Sequence, residues 1–280
     1  MKITFWGVRG SIPIPGEDTR RYGGNTSCVE IVTDSGGRFI CDCGTGIIPL
    51  GEQLMRERAF AAGAGASVVL LSHTHWDHIQ GFPFFQPLHK KGNRFVIYGP
   101  GKTKGRLEGI MEGQLSPEFS AIHSMGNLGA KLEFREIEEG EFTLGPATVR
   151  TVLLSHPTMC LGYRVECDGR SVVFATDVEY KDAADMKRVT DFCRGADLII
   201  HDAMYTHEEY PRFKGWGHTT MEDTVQLTRD AKVGSVVLFH HDPDRTDDHL
   251  DALVTQLQGE AAKHGGPAIH AAREGLTLTL

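Results

Sequence analysis

Short apolar runs rich in β-branched residues alternate along this chain with longer amphipathic stretches. The runs at 2–6, 28–33, 38–41, 67–71, 94–98, 131–137, 147–154, 161–167, 171–175, 198–200, 235–239, 268–272 and 275–279 predict strands, bounded by glycine, proline or small polar residues. Stretches at 47–62, 102–114, 183–193, 221–232 and 247–264 predict helices, with Thr219 or Thr220 placed to cap the fourth. Ser35-Gly36-Gly37 and Asp168-Gly169-Arg170 each close a hairpin. The glycine-rich segment 99–129 interrupts this rhythm and reads as an insertion. No internal linker or low-complexity block divides the chain, so residues 1–280 are expected to form one α/β domain.

The run at 67–71 leads directly into Ser72-His73-Thr74-His75-Trp76-Asp77-His78, which sets three imidazoles and a carboxylate at a strand exit. Buried unpaired imidazoles cost stability, and a solvated loop needs no such concentration of them. A divalent cation reconciles the two, since imidazole nitrogen and carboxylate oxygen suit zinc and also manganese or iron. In extended or turning chain His73 and His75 point to one side, while Asp77 and His78 lie further on. That arrangement suits two ions better than one.

The H-x-H-x-D-H cluster resembles the signature of the metallo-β-lactamase-fold hydrolases. The resemblance covers nearly the entire chain and implies a four-layer αβ/βα sandwich, two mixed sheets face to face with helices outside. It also implies two divalent metal ions, His73 and His75 holding the first, Asp77 and His78 the second. His156, at the exit of the run 147–154, would complete the first site. Asp177, after 171–175, would bridge both ions, and His240, after 235–239, would complete the second. His241 is the runner-up to His240, because neighbours in a strand face opposite ways. Asp42, in Asp42-Cys43-Gly44, resembles the aspartate that the family packs beneath its metal histidines, orienting an imidazole without ligating. A plain turn aspartate is the other reading.

An aspartate rather than a cysteine at 177 disfavours the antibiotic-degrading lactamases. His201-Asp202-Ala203 together with Gly217-His218-Thr219 is similar to the paired motifs of ribonuclease Z and related phosphodiesterases. There an acidic residue orients a histidine that protonates the leaving oxygen. Asp202 stands where glutamate is commoner, which keeps the charge and shortens the reach. The implied catalytic residues are therefore Asp77, which helps orient a metal-bridging hydroxide, and the pair Asp202 and His218.

The net charge of -8 argues against a general nucleic-acid-binding surface. A small anionic phosphodiester, such as a cyclic nucleotide, is accordingly favoured over transfer RNA. The alternatives are a ribonuclease Z-like endonuclease, a lactone or thioester hydrolase of the same fold, and a weakly catalytic metal-binding sensor. Arg9, Arg20 and Arg21 are either solvated or hold a substrate phosphate or carboxylate. Phe119 and His123, in the insertion, are either substrate contacts or plain surface. The six cysteines include no C-x-x-C pair and read as reduced, buried thiols. No apolar run approaches the ~20 residues of a membrane span, and Met1 to Trp6 lacks a signal-peptide layout. A cytoplasmic protein without membrane contact is expected, and a homodimer is an arrangement the sequence allows.

Overall fold

The computed structural model describes residues 1–101 and 107–280, so the first part of the helix expected at 102–114 lies outside the described residues. One sheet begins with β1 (Lys2–Gly7), β2 (Cys28–Val32), β3 (Arg38–Cys41), β4 (Ala66–Leu70), β5 (Arg94–Pro100) and β6 (Lys131–Ile137). The second holds β7 (Gly140–Leu144), β8 (Ala147–Leu154), β9 (Cys160–Cys167), β10 (Arg170–Ala175), β11 (Leu198–Asp202), β12 (Ser235–Phe239) and β13 (Ala268–Ala271). The last strand, β14 (Thr277–Thr279), returns to the first sheet beside β1. The orders are β14-β1-β2-β3-β4-β5-β6 and β13-β12-β11-β10-β9-β8-β7.

Both sheets are mixed. β3 to β6 run parallel in the first and β10 to β13 run parallel in the second. Parallel strands deliver their C-terminal ends to one edge, where ligands of open α/β sheets gather.

Three apolar layers hold the sandwich together. Between the sheets, Phe5, Ile31, Leu70, Tyr163, Phe174 and Phe239 share one buried cluster. Outside the first sheet, Leu50, Phe60, Phe95 and Met111 belong to a second cluster. Outside the second sheet, Val189, Leu227, Val236 and Leu250 belong to a third. Each such side chain stabilises the fold by roughly 1.5–3 kcal/mol through burial. The layers are therefore helix, sheet, sheet and helix, as the resemblance implies.

Helices α1 (Ile47–Leu54), α2 (Arg58–Ala61), α3 (Trp76–Ile79), α4 (Gln86–His89) and α5 (Leu107–Gly113) accompany the first sheet. The second sheet is covered by α6 (Ala183–Cys193), α7 (Met221–Asp230) and α8 (Asp247–Lys263). Each of these three has a side-chain cap: Asp182 accepts from Ala184 N and Asp185 N, Thr220 from Asp223 N, and Thr246 from His249 N. Among the described residues no helix is long and apolar enough to cross a membrane.

Two elements differ from expectation. The single helix expected over 47–62 divides at Glu57, whose backbone is extended and whose carboxylate takes both terminal nitrogens of Arg38, at 3.0 and 2.9 Å. Strand β7 has no apolar run to announce it. It is an exposed to half-buried edge strand, antiparallel to β8 and joined to it through Gly145 at φ 58°. The segment 99–129 is partly anchored in the core, because Leu107 and Met111 of α5 are fully buried.

Candidate metal centre

Four chain segments carrying expected ligands meet at the edge where the parallel strands end. After β4 the chain is fixed by Leu71 N donating to Tyr98 O at 2.8 Å and Ser72 N donating to Asp42 Oδ1 at 2.8 Å. The single turn of α3 then presents Asp77 and His78. His156 leaves β8, Asp177 leaves β10 and His240 leaves β12. Asp42, Asp177 and His240 all adopt left-handed backbone, at φ 64°, 57° and 60°. Such strain in residues with a side chain is characteristic of sites whose geometry is imposed by their surroundings.

The potential ligands fall into overlapping groups whose donor atoms lie within 4.8 Å of one another: His73, His75, His156 and Asp177; Asp77, His78 and His240; and Asp177, Asp202, His218 and His240. Asp177 faces both of the first two. Its Oδ2 is 3.7 Å from His73 Nε2 and 3.9 Å from His156 Nε2, while its Oδ1 is 3.3 Å from both His78 Nε2 and His240 Nε2. Asp77 Oδ2 is 3.2 Å from His78 Nε2 and 3.1 Å from His240 Nε2. His75 is exposed whereas His73 and Asp177 are buried, so the cluster opens on the His75 side.

The residues fit a pair of cations. His73 Nε2 is buried and has no hydrogen-bond partner among the described residues. Burial holds the His73 imidazole well below its usual pKa, and therefore neutral. Burial alone would raise the carboxyls of Asp77 and Asp177, yet the surrounding imidazoles hold both well below their usual range. His78 is also disfavoured as a cation by burial, but the carboxylates of Asp77, Asp177 and Asp42 lift its pKa well above the usual value. The proton on His78 balances these buried carboxylates, and a divalent ion would replace it, taking up the negative charge and freeing the imidazole nitrogen to ligate.

Around the inner groups, Asp42 Oδ2 accepts from His78 Nδ1 at 2.7 Å, and the same carboxylate accepts from Ser27 Oγ, Ser72 N and Ser72 Oγ. It orients an imidazole and touches none of the other candidate ligands, unlike a plain turn residue. His156 Nδ1 donates to Gly217 O at 2.9 Å, and Ser11 N donates to Asp77 Oδ2 at 2.7 Å. Neither of these backbone partners is legible in the sequence, since a main-chain contact leaves no residue type to recognise. Gly217 sits at φ +91°, and a Cβ there would lie 2.2 Å from His156 Nδ1, so only glycine permits the approach.

His218 Nδ1 lies 2.7 Å from Asp202 Oδ2 and 4.0 Å from Asp177 Oδ2. Burial opposes its protonation, but the Asp202 carboxylate outweighs that and pushes its pKa up to about 9. His201 faces away, with Nε2 at Tyr180 Oη and Nδ1 at Asp202 O. His241 also faces away, donating Nε2–H to Ala272 O, and burial pushes its pKa down to about 3.

The arginine expectation is corrected for Arg9, which is neither solvated nor turned to the cluster, while Arg20 and Arg21 are exposed surface arginines. Arg9 is fully buried and donates Nε to Gly23 O at 2.8 Å and Nη1 to Arg245 O at 2.7 Å and Asp242 O at 3.2 Å. A guanidinium has five donors in a fixed fork; the carbonyls hold Nε and Nη1, and Nη2 faces Asp247 Oδ1 at 3.6 Å, so the group is held within the fold and not turned to the cluster. Arg20 pairs with Glu17, and Arg21 with Asp248 and Asp251, so neither is directed to the cluster. Phe119 and His123 are exposed, and no hydrogen bond joins them to the cluster among the described residues. All six cysteines are buried and unbridged, as expected.

A cleft of about 520 Å³ opens beside His156 and is lined in part by Tyr180, Lys181, Tyr210 and Lys214. Its size is that of a small-molecule site. Lys181 and Lys214 have no ion-pair partner among the described residues, so two ammonium groups are available there.

A family model described as a β-lactamase superfamily domain matches residues 37–241. The chain is 27% identical to a ribonuclease Z of Haloferax volcanii, over 86% of this chain and 84% of the relative. Among solved structures it is similar to the metallo-β-lactamase fold protein YhfI from Bacillus subtilis, with a TM-score of 0.70 and 19% identity over 99% of this chain and 98% of that one. It is likewise similar to a diphosphatase from the PhnP family, with a TM-score of 0.66 and 21% identity over 100% of this chain and 97% of that one. The matched residues extend from β3 to just past β12 and form most of the two-sheet sandwich, and the chain belongs to the β-lactamase superfamily as a metal-dependent hydrolase of the metallo-β-lactamase fold.

Proposed function

We propose that this hydrolase is a phosphodiesterase acting on a small phosphodiester such as a cyclic nucleotide, with residues 1–280 working as one domain. The observation that carries the reading is the 2.7 Å contact between Asp202 and His218 beside Asp177. An alkoxide leaving phosphorus needs a proton, whereas a thiolate leaving a thioester does not.

In this reading His73, His75 and His156 would hold one divalent ion and Asp77, His78 and His240 the other, with Asp177 between the two sets. Zinc is favoured by the donor set, with manganese or iron as substitutes. Such ions supply charge that polarises the phosphoryl oxygens and acidifies water at neutral pH. Asp77, fixed by the Ser11 amide, orients the attacking water. His218 donates Nδ1–H to Asp202, which leaves Nε2 as the nitrogen that hands a proton to the leaving oxygen. Lys181 and Lys214 draw the anionic substrate into the cleft.

Protein of known metal content is assayed on bis(p-nitrophenyl) phosphate, a cyclic nucleotide whose leaving group is an alkoxide, an aryl thioester and a lactone. Turnover of both diesters, lost after chelation, is expected, with the cyclic nucleotide far more sensitive to H218A than the activated aryl diester. Turnover confined to the lactone or thioester overturns the substrate class, and cyclic-nucleotide hydrolysis unchanged in H218A overturns the acid.

A second reading, an RNA endonuclease of the ribonuclease Z kind, is favoured by the Haloferax relative. The net charge of -8 stands against it. Cleavage of a precursor transfer RNA at a rate exceeding that of any small diester would select it.

A further inference from the structure

We propose that Glu179 is a positioning residue that sets His156 and His218 together, through one carboxylate bound to the backbone of the loop between them. The inference rests on the reading of His156 as a metal ligand and His218 as the acid.

Glu179 stands two residues beyond Asp177, and its amide donates to Ser155 O at 2.8 Å, which ties it beside His156. Its carboxylate reaches across to the segment 210–217. Oε1 accepts from Tyr210 Oη and Gly215 N, both at 2.7 Å, and Oε2 accepts from Gly217 N at 2.9 Å. The segment has a single turn of 3-10 helix, Tyr210–Arg212, and no strand. Glu179 is the partner that the structure gives to the amides of both glycines.

The consequence passes through Gly217. Its amide is held by Glu179 and its carbonyl accepts from His156 Nδ1, which fixes the tautomer and leaves Nε2 facing His75 Nδ1 at 3.2 Å. The backbone lies directly against the imidazole, since a Cβ on Gly217 would stand 2.2 Å from Nδ1. The next peptide leads into His218, whose Nδ1 is held by Asp202. One carboxylate therefore locates the carbonyl that aims a ligand and the peptide that aims the acid. A clamp serving loop stability alone would leave both functions unchanged in protein that still folds.

The test compares E179A, E179Q and Y210F with wild type. Y210F removes the one bond that reaches neither glycine. Folding is followed by thermal unfolding, cation affinity by competition with a chromophoric chelator, ligand geometry by the absorption spectrum of the cobalt(II) protein, and catalysis by separate kcat and KM on bis(p-nitrophenyl) phosphate. In E179A, affinity at one of the two cation sites is expected to fall about 10–100-fold, the range for losing an orienting partner of a ligand histidine, with an altered cobalt spectrum. kcat falls while KM holds. E179Q is intermediate, because a carboxamide nitrogen cannot accept from an amide. Y210F keeps the wild-type spectrum and affinity.

Wild-type cation affinity and cobalt spectrum in folded E179A overturn the proposal. Where E179A fails to fold, the same result in E179Q overturns it. Wild-type protein inactive on every diester, with cation affinity still lowered in E179Q, removes the substrate reading and leaves Glu179 as a positioning residue.

Discussion

Asp202 Oδ2 and His218 Nδ1 are 2.7 Å apart although aspartate is a methylene shorter than the glutamate commoner in this motif. The backbone makes up the difference. Tyr205, three residues past Asp202, bridges to Thr220, with Tyr205 N donating to Thr219 O at 3.2 Å and Met221 N to Tyr205 O at 2.8 Å. These bonds draw the His218 segment against the exit of β11. Amides of Val178 and Met204 hold the carboxylate, at 3.3 and 3.1 Å.

The Asp202 carboxylate favours the protonated imidazole of His218, so the rate should carry an alkaline limb set by His218. In D202N the alkaline limb should move to or below the ordinary imidazole value of 6.5, and kcat should drop by roughly 10²–10⁴-fold. A pH–rate profile of both proteins checks this. A limb that stays at its wild-type position removes Asp202 from the acid.

Asp177 offers one oxygen to each of the two groups. D177A should therefore lower cation stoichiometry as well as activity. Added zinc should raise the thermal midpoint of wild type, because a ligand bound to the native state stabilises it, and that rise should be lost in D177A. Metal analysis after gel filtration, with thermal scans, reads both. Full stoichiometry in D177A refutes the shared role.

Asp42 accepts four hydrogen bonds while fully buried. D42A leaves those donors without a partner and should destabilise the fold by roughly 3 kcal/mol or more. Freed from its partner, His78 should also bind metal less tightly, by about 10–100-fold. Urea unfolding and chelator competition measure the two effects separately.

The ammonium groups of Lys181 and Lys214 flank the cleft without touching the candidate ligands. In K181A/K214A, KM for a diester with an additional anionic group should rise about tenfold, while that for a diester with a neutral tail stays near wild type. The rise should shrink with added salt. An equal change for both diesters argues against an electrostatic role.

Glu209 is partly buried, which raises its carboxyl, but the paired hydrogen bonds of Arg245 at 2.7 and 2.8 Å prevail and draw it down to about 2. Its folded pKa lies below the unfolded value near 4.5, so its contribution is present above pH 4.5 and is lost as pH falls toward 2. Wild type should lose roughly 1–2 kcal/mol over that window relative to E209Q, less than the whole shift would give because the pair is partly screened by solvent. Unfolding free energies measured at several acidic pH values test it, and parallel curves would contradict the pairing.

Much of this protein is legible in its sequence because the informative features are local. Strand runs such as 171–175 and 235–239 show their own periodicity, and His73, His75, Asp77 and His78 are neighbours before folding begins. His156, Asp177 and His240 could be picked out by their places at strand ends together with the family resemblance. The tertiary structure decided what depends on distant partners. Arg9 looks solvated in a glycine-proline loop, yet its acceptors include Asp242 and Arg245, more than two hundred residues away in sequence. Strand β7 is polar enough to pass unnoticed and forms because β8 offers it an edge. Glu179 has no sequence signal, since two of its three carboxylate donors are backbone amides, which every residue except proline supplies. Periodicity and contiguous motifs record what a residue does with its neighbours in the chain, whereas main-chain partners across the sandwich exist only once two sheets have packed and brought their strand ends to one edge.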